Sequence, residues 1–152
     1  MLYFAYGPNM DEQRVKAANR CPEARFIFNA LLPEFRLTFT RRVDGGDAAA
    51  DAVPDPASRI WGVVYDITQA DRQRLDARDG VASRAYRPRE VLVHPNGDAE
   101  QRVMVLTYTL SDPSPTYESP TREYLDFLLR GARQRSFPPD YIAQLERIEV
   151  RR

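Results

Sequence analysis

The chain begins with an apolar and aromatic run that is followed at once by turn-forming residues. Residues 2–6 contain leucine, phenylalanine, alanine and two tyrosines, which is typical of a buried strand. Gly7 permits a turn, and Pro8 cannot donate a hydrogen bond within a central strand, so the strand is expected to end there. Asn9 has the residue type of a helix N-cap, with a glutamate three residues later as in a capping box. The pattern therefore predicts a strand, a turn and a helix over residues 10–18.

Five further segments combine β-branched and aromatic residues between turn signals, and they are predicted to be strands. These segments are residues 25–31, 35–40, 60–67, 86–93 and 103–110. Pro33 separates the first two, and Asn96-Gly97 forms a hairpin turn between the last two. The Ala-, Asp- and Pro-rich stretch up to Ser58 predicts a loop, with a short strand at 48–53 as the alternative.

Three more helices are predicted from capping residues and helical spacing. Thr68 caps a helix that runs to about residue 78, Ser119-Pro120 begins another, and Pro138-Pro139 begins the last. Hairpin-like connections with helices mixed in favour a closed or half-closed antiparallel sheet flanked by helices, which is an α+β fold. The length and the absence of a linker predict one domain over residues 1–152.

Composition excludes several classes of partner. The 22 basic residues are balanced by 22 acidic ones and form no cluster, so no nucleic-acid partner is expected. Cys21 is the only cysteine, so it cannot form an internal disulfide, which fits a reducing compartment. No apolar run reaches the length of a membrane span, and the N-terminus lacks a secretion signal. We therefore expect a cytoplasmic protein with no membrane partner.

Two features carry candidate chemistry. The strand, glycine turn and helix start would leave backbone N–H groups available for an anion, although the same pattern also describes a plain connection that binds nothing. Asp79 follows a predicted helix, where the helix dipole and burial would raise its pKa, although Asp-Gly also serves as a simple helix stop. His94 and Cys21 lack partners at ligand spacing, so no metal site is predicted.

The first of these features resembles a known family signature. Residues 3–10, Tyr-Phe-Ala-Tyr-Gly-Pro-Asn-Met, are similar to the N-terminal motif of the gamma-glutamylcyclotransferase-like superfamily, which includes AIG2-like proteins. Other landmarks of the superfamily follow in order over nearly the whole chain. They are Trp61-Gly62-Val63-Val64-Tyr65, Leu75-Asp76-x-x-Asp79-Gly80, Tyr86, Thr107-Tyr108, Ser119-Pro120, Tyr124, Gly131-Ala132 and Leu145.

The resemblance implies a small, mixed, mainly antiparallel β-barrel flanked by helices. It also implies a transferase or lyase that cyclises a γ-glutamyl group to 5-oxoproline and releases an amine or amino acid, without a metal or organic cofactor. The catalytic carboxylate of the superfamily corresponds to Asp79. Its substrate-binding residues correspond to Tyr3, Tyr6, Gly7, Pro8, Asn9 and Tyr124.

Two residues depart from the usual pattern of the superfamily. Pro8 stands where a serine is usual. Asp79 stands where a glutamate is usual, and its side chain is shorter by one methylene. The alternatives are therefore a binding or regulatory domain that keeps the pocket without catalysis, and a related cyclisation with another leaving amine. The expected partner is a small γ-glutamyl compound. The oligomeric state stays open, a homodimer included.

Overall fold

A computed structural model describes residues 1–40, 48–78, 86–110 and 116–151 of the chain. Within these residues five strands and four α-helices are present, together with one short 3₁₀ turn. The strands are β1 (Leu2–Ala5), β2 (Arg25–Thr40), β3 (Ala49–Asp66), β4 (Tyr86–Pro95) and β5 (Val103–Leu110). The helices are α1 (Glu12–Val15), α2 (Gln69–Arg78), α3 (Arg122–Gln134) and α4 (Pro139–Glu146), and the 3₁₀ turn is Pro8–Met10.

The described strands close into a barrel in the order β1-β3-β2-β4-β5. All neighbours are antiparallel except β1 and β5, which run parallel and meet where Tyr3 lies opposite Leu106. Apolar side chains fill the closed barrel, and Phe4, Ile60 and Val64, which share one face of the sheet, are fully buried. The predicted mixed, mainly antiparallel α+β barrel is confirmed.

The segments at 25–31 and 35–40 are one continuous strand, β2, and not two. Pro33 still pairs with Arg59, and the register then shifts between Pro33 and Phe35, where Glu34 has a positive φ of 63°. A β-bulge at Glu34 therefore follows the proline, and the strand continues beyond it in a shifted register.

The loop predicted up to Ser58 is wrong over residues 49–58, because strand β3 begins at Ala49, and the alternative strand at 48–53 is confirmed from residue 49 onward. Phe39 pairs with Ala50, and the pairing continues to Phe35 opposite Pro54. Residues 55–58 have no partner in the register, so a proline there removes no ladder hydrogen bond. The partner strand β2 thus imposes an extended conformation on a sequence whose composition favours a loop.

The helix predicted over residues 10–18 is only one turn long, and Asn9 is not its N-cap. The N-cap is Asp11, whose carboxylate accepts a hydrogen bond from the Arg14 amide at 3.3 Å. Asn9 lies inside the 3₁₀ turn that Pro8 begins, and its side-chain amide donates to the Tyr3 hydroxyl at 3.1 Å. The Asn9 side chain, which was predicted to cap the helix, therefore binds Tyr3 instead.

Helix α3 packs against this first turn. It is capped by Thr121, whose hydroxyl accepts from the Tyr124 amide, and so Ser119-Pro120 does not begin the helix. A Cβ atom at Gly131 would lie 2.5 Å from the backbone of Met10, which is fully buried. Only glycine allows this close approach, and it holds the Pro8–Met10 turn in place.

Several local predictions are confirmed. Thr68 caps α2, and its hydroxyl accepts from the amide of Asp71 at 3.0 Å. Asn96 and Gly97 begin the connection of residues 96–102 between β4 and β5, and their positive φ angles of 53° and 77° are those that an Asn-Gly turn requires. Within the described part of the chain, no helix has both the length and the apolar character of a membrane span.

Candidate functional site

A cavity of about 310 Å³ lies where the end of β1 meets the first residues of β3 and β4 and helix α3. All six residues predicted to bind substrate line this one cavity. They are Tyr3, Tyr6, Gly7, Pro8, Asn9 and Tyr124. The fold thus brings together residues that are more than a hundred positions apart, while their contact with a ligand stays a prediction.

The turn after β1 offers backbone donors to the cavity. The amides of Met10 and Asp11 are occupied, because they donate to the carbonyls of Gly7 and Pro8 at 3.0 and 3.1 Å. Within the described residues, the amides of Gly7 and Asn9 have no protein acceptor. Pro8 has no N–H, so the turn can offer an anion two backbone donors rather than three.

Asn9 adds an acceptor beside these donors. Its Nδ2 donates to the Tyr3 hydroxyl at 3.1 Å, and its Oδ1 is buried without a hydrogen-bond partner in the described structure. A buried carbonyl oxygen without a partner is unusual, because its desolvation is not compensated. An N–H group of a bound ligand would satisfy this oxygen.

Tyrosine hydroxyls hold the cavity walls together. The Tyr6 hydroxyl donates to the carbonyl of Tyr108 at 2.6 Å, which joins β1 to β5. The Ala50 amide donates to the Tyr124 hydroxyl at 2.8 Å, and the Tyr86 hydroxyl donates to the Ala50 carbonyl at 3.2 Å. Helix α3 and strand β4 are thereby fixed to the first residues of β3.

The charged residues among the described lining of the cavity are all basic. They are Arg14, Arg20 and Arg78. Burial is the main cause that lowers the pKa of Arg14, and the charge of Arg78 acts in the same direction. An arginine nevertheless keeps its charge at physiological pH, so this side of the cavity attracts anions.

Asp79, the predicted catalytic residue, lies outside the described residues. Arg78, which precedes it in the chain and ends α2, lines the cavity. The pairing of Asp79 with the Gly7 turn stays a prediction.

Sequence reasoning missed part of this cavity. It did not identify Arg14, which lies in a helix with a weak apolar face, or residues 48–50, which it placed in a loop. Tyr108 was noted only as a family landmark. Periodicity gave no signal for these residues, because their position depends on the pairing of distant strands. The described residues contain no group of three or more His, Cys, Asp or Glu that could hold a metal ion.

Comparison with known proteins agrees with this architecture. A family model described as the AIG2-like family matches residues 59–145. The gamma-glutamylcyclotransferase of Bos taurus is 31% identical over 157 residues, which cover 97% of this chain and 78% of that protein. The gamma-glutamylcyclotransferase of Homo sapiens is 30% identical over 158 residues, with the same coverage.

A solved structure of a gamma-glutamyl cyclotransferase has the same fold. It superposes with a TM-score of 0.90 at 27% identity, over 99% of this chain and 89% of that chain. The resemblance that began with the Tyr3–Met10 motif is therefore confirmed. The chain belongs to the AIG2-like family and is a homologue of the gamma-glutamylcyclotransferases.

Proposed function

We propose that this protein is an enzyme that converts a γ-glutamyl compound into 5-oxoproline and a free amine or amino acid. The observation that carries the proposal is the cavity at the Gly7 turn, which combines two available backbone amides with the partnerless Oδ1 of Asn9. A γ-glutamyl group ends in an α-carboxylate and an α-amine. Its carboxylate needs donors and its amine needs an acceptor, and this family member offers both in one cavity.

In the proposed complex the α-carboxylate accepts hydrogen bonds from the amides of Gly7 and Asn9. The α-amine donates to Asn9 Oδ1. Binding both groups at one turn fixes the Cα end of the substrate, and ring closure then requires the rest of the cavity to hold the γ-amide carbon against the amine. Holding the two reacting groups in this way removes part of the entropic barrier to ring closure.

The reaction is an internal aminolysis. The α-ammonium loses a proton, its nitrogen attacks the γ-carbonyl carbon, and a new C–N bond closes the five-membered ring. The original amide C–N bond then breaks, and the leaving nitrogen gains a proton. Atoms and charges balance without water or a redox partner. Asp79 is proposed to take the first proton and return it to the leaving nitrogen, a role worth roughly 10²–10⁴-fold in rate.

The acidity of an ordinary aspartate sets a requirement on this site. An unperturbed carboxyl has a pKa of about 3.9 and an α-amine one of about 8, so proton transfer is uphill by roughly 5–6 kcal/mol. The pocket must therefore raise the pKa of the carboxyl or lower that of the amine. Cationic arginines around the cavity do not meet this requirement, because they favour a carboxylate as much as they disfavour an ammonium group.

The test is a panel of γ-glutamyl amines, amino acids and peptides, with 5-oxoproline as the measured product. The expected result is 5-oxoproline from at least one member and a loss of about 100-fold or more in kcat for Asp79→Asn at an unchanged melting temperature. An equally active Asp79→Asn protein would exclude the proposed role of that residue. Ligand-induced stabilisation without any turnover would favour the alternative, a binding or regulatory domain that keeps the pocket.

A further inference from the structure

Two of the three arginines that line the cavity form no ion pair with a described residue. Within the described part of the chain, neither Arg14 nor Arg78 has a carboxylate at ion-pair distance or a side-chain hydrogen bond. The other arginines of helix α2 are paired: Arg74 lies 2.9 Å from Asp71, and Arg72 lies 3.8 Å from Asp76. Among the described arginines of α1 and α2, the two without an ion pair are the two that line the cavity.

The Arg14 side chain is held in position, but its buried Nε–H group lacks a hydrogen-bond acceptor among the described residues. Its guanidinium carbon lies 4.5 Å from the centroid of the Phe127 ring, which orients the guanidinium by stacking. Its Nε is buried and has no hydrogen-bond partner. A buried charged donor without an acceptor is costly, so an acceptor brought by a ligand would stabilise it.

The two charges also act on each other. The charge of Arg78 disfavours the charged form of Arg14, so the folded protein places two cations where they repel. Asp11 and Glu123 favour the charged form of Arg14 from outside the cavity, but no carboxylate is among the described residues that line it. A ligand that brings negative charge between the two guanidinium groups would relieve the repulsion.

We propose that Arg14 and Arg78 form an anion subsite for the leaving group, and that the preferred substrate is a γ-glutamyl amino acid with an acidic side chain. This inference rests on the proposed cyclisation, in which the turn at Gly7 binds the α-carboxylate of the γ-glutamyl group. The arginines then meet the other end of the substrate. One carboxylate of the leaving amino acid binds each guanidinium, since that fork-shaped group matches a carboxylate bidentately.

Three substrates that differ in leaving-group charge provide the test. They are γ-glutamyl methylamide, γ-glutamylalanine and γ-glutamylglutamate, which carry zero, one and two carboxylates on the leaving side. In the parent protein kcat/KM is expected to rise along this series. Arg14→Gln and Arg78→Gln are each expected to lose about tenfold on γ-glutamylglutamate and to change little on the methylamide.

Arg130→Gln is the matched control. Arg130 stacks on the same Phe127 ring, with its guanidinium carbon 4.7 Å from the centroid, but it does not line the cavity. Its substitution removes the same charge from the same ring and should leave the order of the three substrates unchanged. If Arg14→Gln and Arg78→Gln lower kcat/KM equally for all three substrates, or if the parent does not distinguish them, the inference is wrong.

A binding measurement separates this inference from the proposed function. Titration calorimetry of Asp79→Asn with the same three compounds reports affinity without turnover. If the parent produces no 5-oxoproline but still binds γ-glutamylglutamate more tightly than the methylamide, and Arg14→Gln removes this difference, the cyclisation is wrong and the anion subsite stands. If affinity does not depend on leaving-group charge, the anion subsite is wrong whatever the activity.

Discussion

The backbone amide of Ala50 donates a 2.8 Å hydrogen bond to the hydroxyl of Tyr124. This bond joins the first residues of β3 to the first turn of α3 across the cavity. Phe39 packs edge-on against the Tyr124 ring at 6.2 Å, which restricts the ring from the side of β2. The tyrosine therefore has a structural contact of its own, apart from any contact with substrate.

Tyr124→Phe should lower both stability and turnover. The substitution leaves the Ala50 amide without its acceptor, and the expected loss in the free energy of unfolding is about 1–2 kcal/mol by urea denaturation. The value of kcat/KM for γ-glutamyl substrates should fall as well, because β3 then loses its link to α3. Tyr117→Phe is the control, since Tyr117 is 53% exposed and does not line the cavity. Equal stability of both variants would contradict the expectation.

Gly131→Ala should destabilise the protein, although alanine is the better helix former. In an open helix the change would gain about 1 kcal/mol. Here the new Cβ would lie 2.5 Å from the backbone of Met10, so α3 or the Pro8–Met10 turn must move. The expected net loss is about 1–3 kcal/mol in the free energy of unfolding. Arg133→Ala, at an exposed position of the same helix, should stay close to the parent.

Asp51 should make stability depend on pH in the unusual direction. The side chain is 1% exposed, and burial raises its pKa despite hydrogen bonds from the amides of Leu110 and Ala52. The unfolded chain loses this proton near pH 4, whereas the folded protein keeps it to higher pH. The stabilising contribution is thus complete below about pH 4 and is lost as pH rises through the folded pKa.

The measurement compares the free energy of unfolding of the parent and Asp51→Asn between pH 3 and 8. The stability of the parent relative to Asp51→Asn should decrease as pH rises. Asp55 supplies a control of opposite sign, because its pKa is lowered by hydrogen bonds from the Ser58 hydroxyl and the Ala57 amide. Its contribution is present above about pH 4 and is lost as pH falls through its folded pKa. If the Asp51→Asn and Asp55→Asn proteins changed in stability with pH in the same direction relative to the parent, the raised pKa of Asp51 would be refuted.

Pro8→Ser should tighten substrate binding. The serine adds a backbone N–H and a hydroxyl to the cavity at the turn proposed to hold the α-carboxylate. One added hydrogen bond to a charged group predicts a fall in KM of about tenfold with little change in kcat. Pro139→Ser, at the first position of α4 and away from the cavity, is the matched control. An unchanged KM would show that the substrate carboxylate does not bind at this turn.

The predictable features are those set by nearby residues. The Asn96-Gly97 hairpin and the Thr68 cap depend on backbone preferences within four residues, and both are present. Composition favoured a loop over residues 49–58, with a strand at 48–53 only as the alternative, because their extended conformation comes from β2, which is a separate segment of the chain. Composition reports local preference, and it carries no information about which strand will lie alongside.

The residues of the cavity likewise divide into those with a local sequence signal and those without one. The Gly7 turn has a recognisable local pattern, but by itself it also describes a plain connection, and the family resemblance gave it a function. Tyr124 was linked to the turn by that resemblance alone. Arg14 had no signal, since one charge on a short helix is usually solvated. Its significance depends on Phe127 and on the cavity, which only the folded structure brings together.

Closure of the barrel by β1 and β5 has a consequence for folding. Tyr3 and Leu106 must meet across most of the chain, and such distant pairings form slowly because a long loop must close first. The cavity takes its walls from both sides of this seam, so a partly folded chain has no complete site. During refolding, ligand binding and activity should therefore return with the slowest phase, after helical structure has already reappeared.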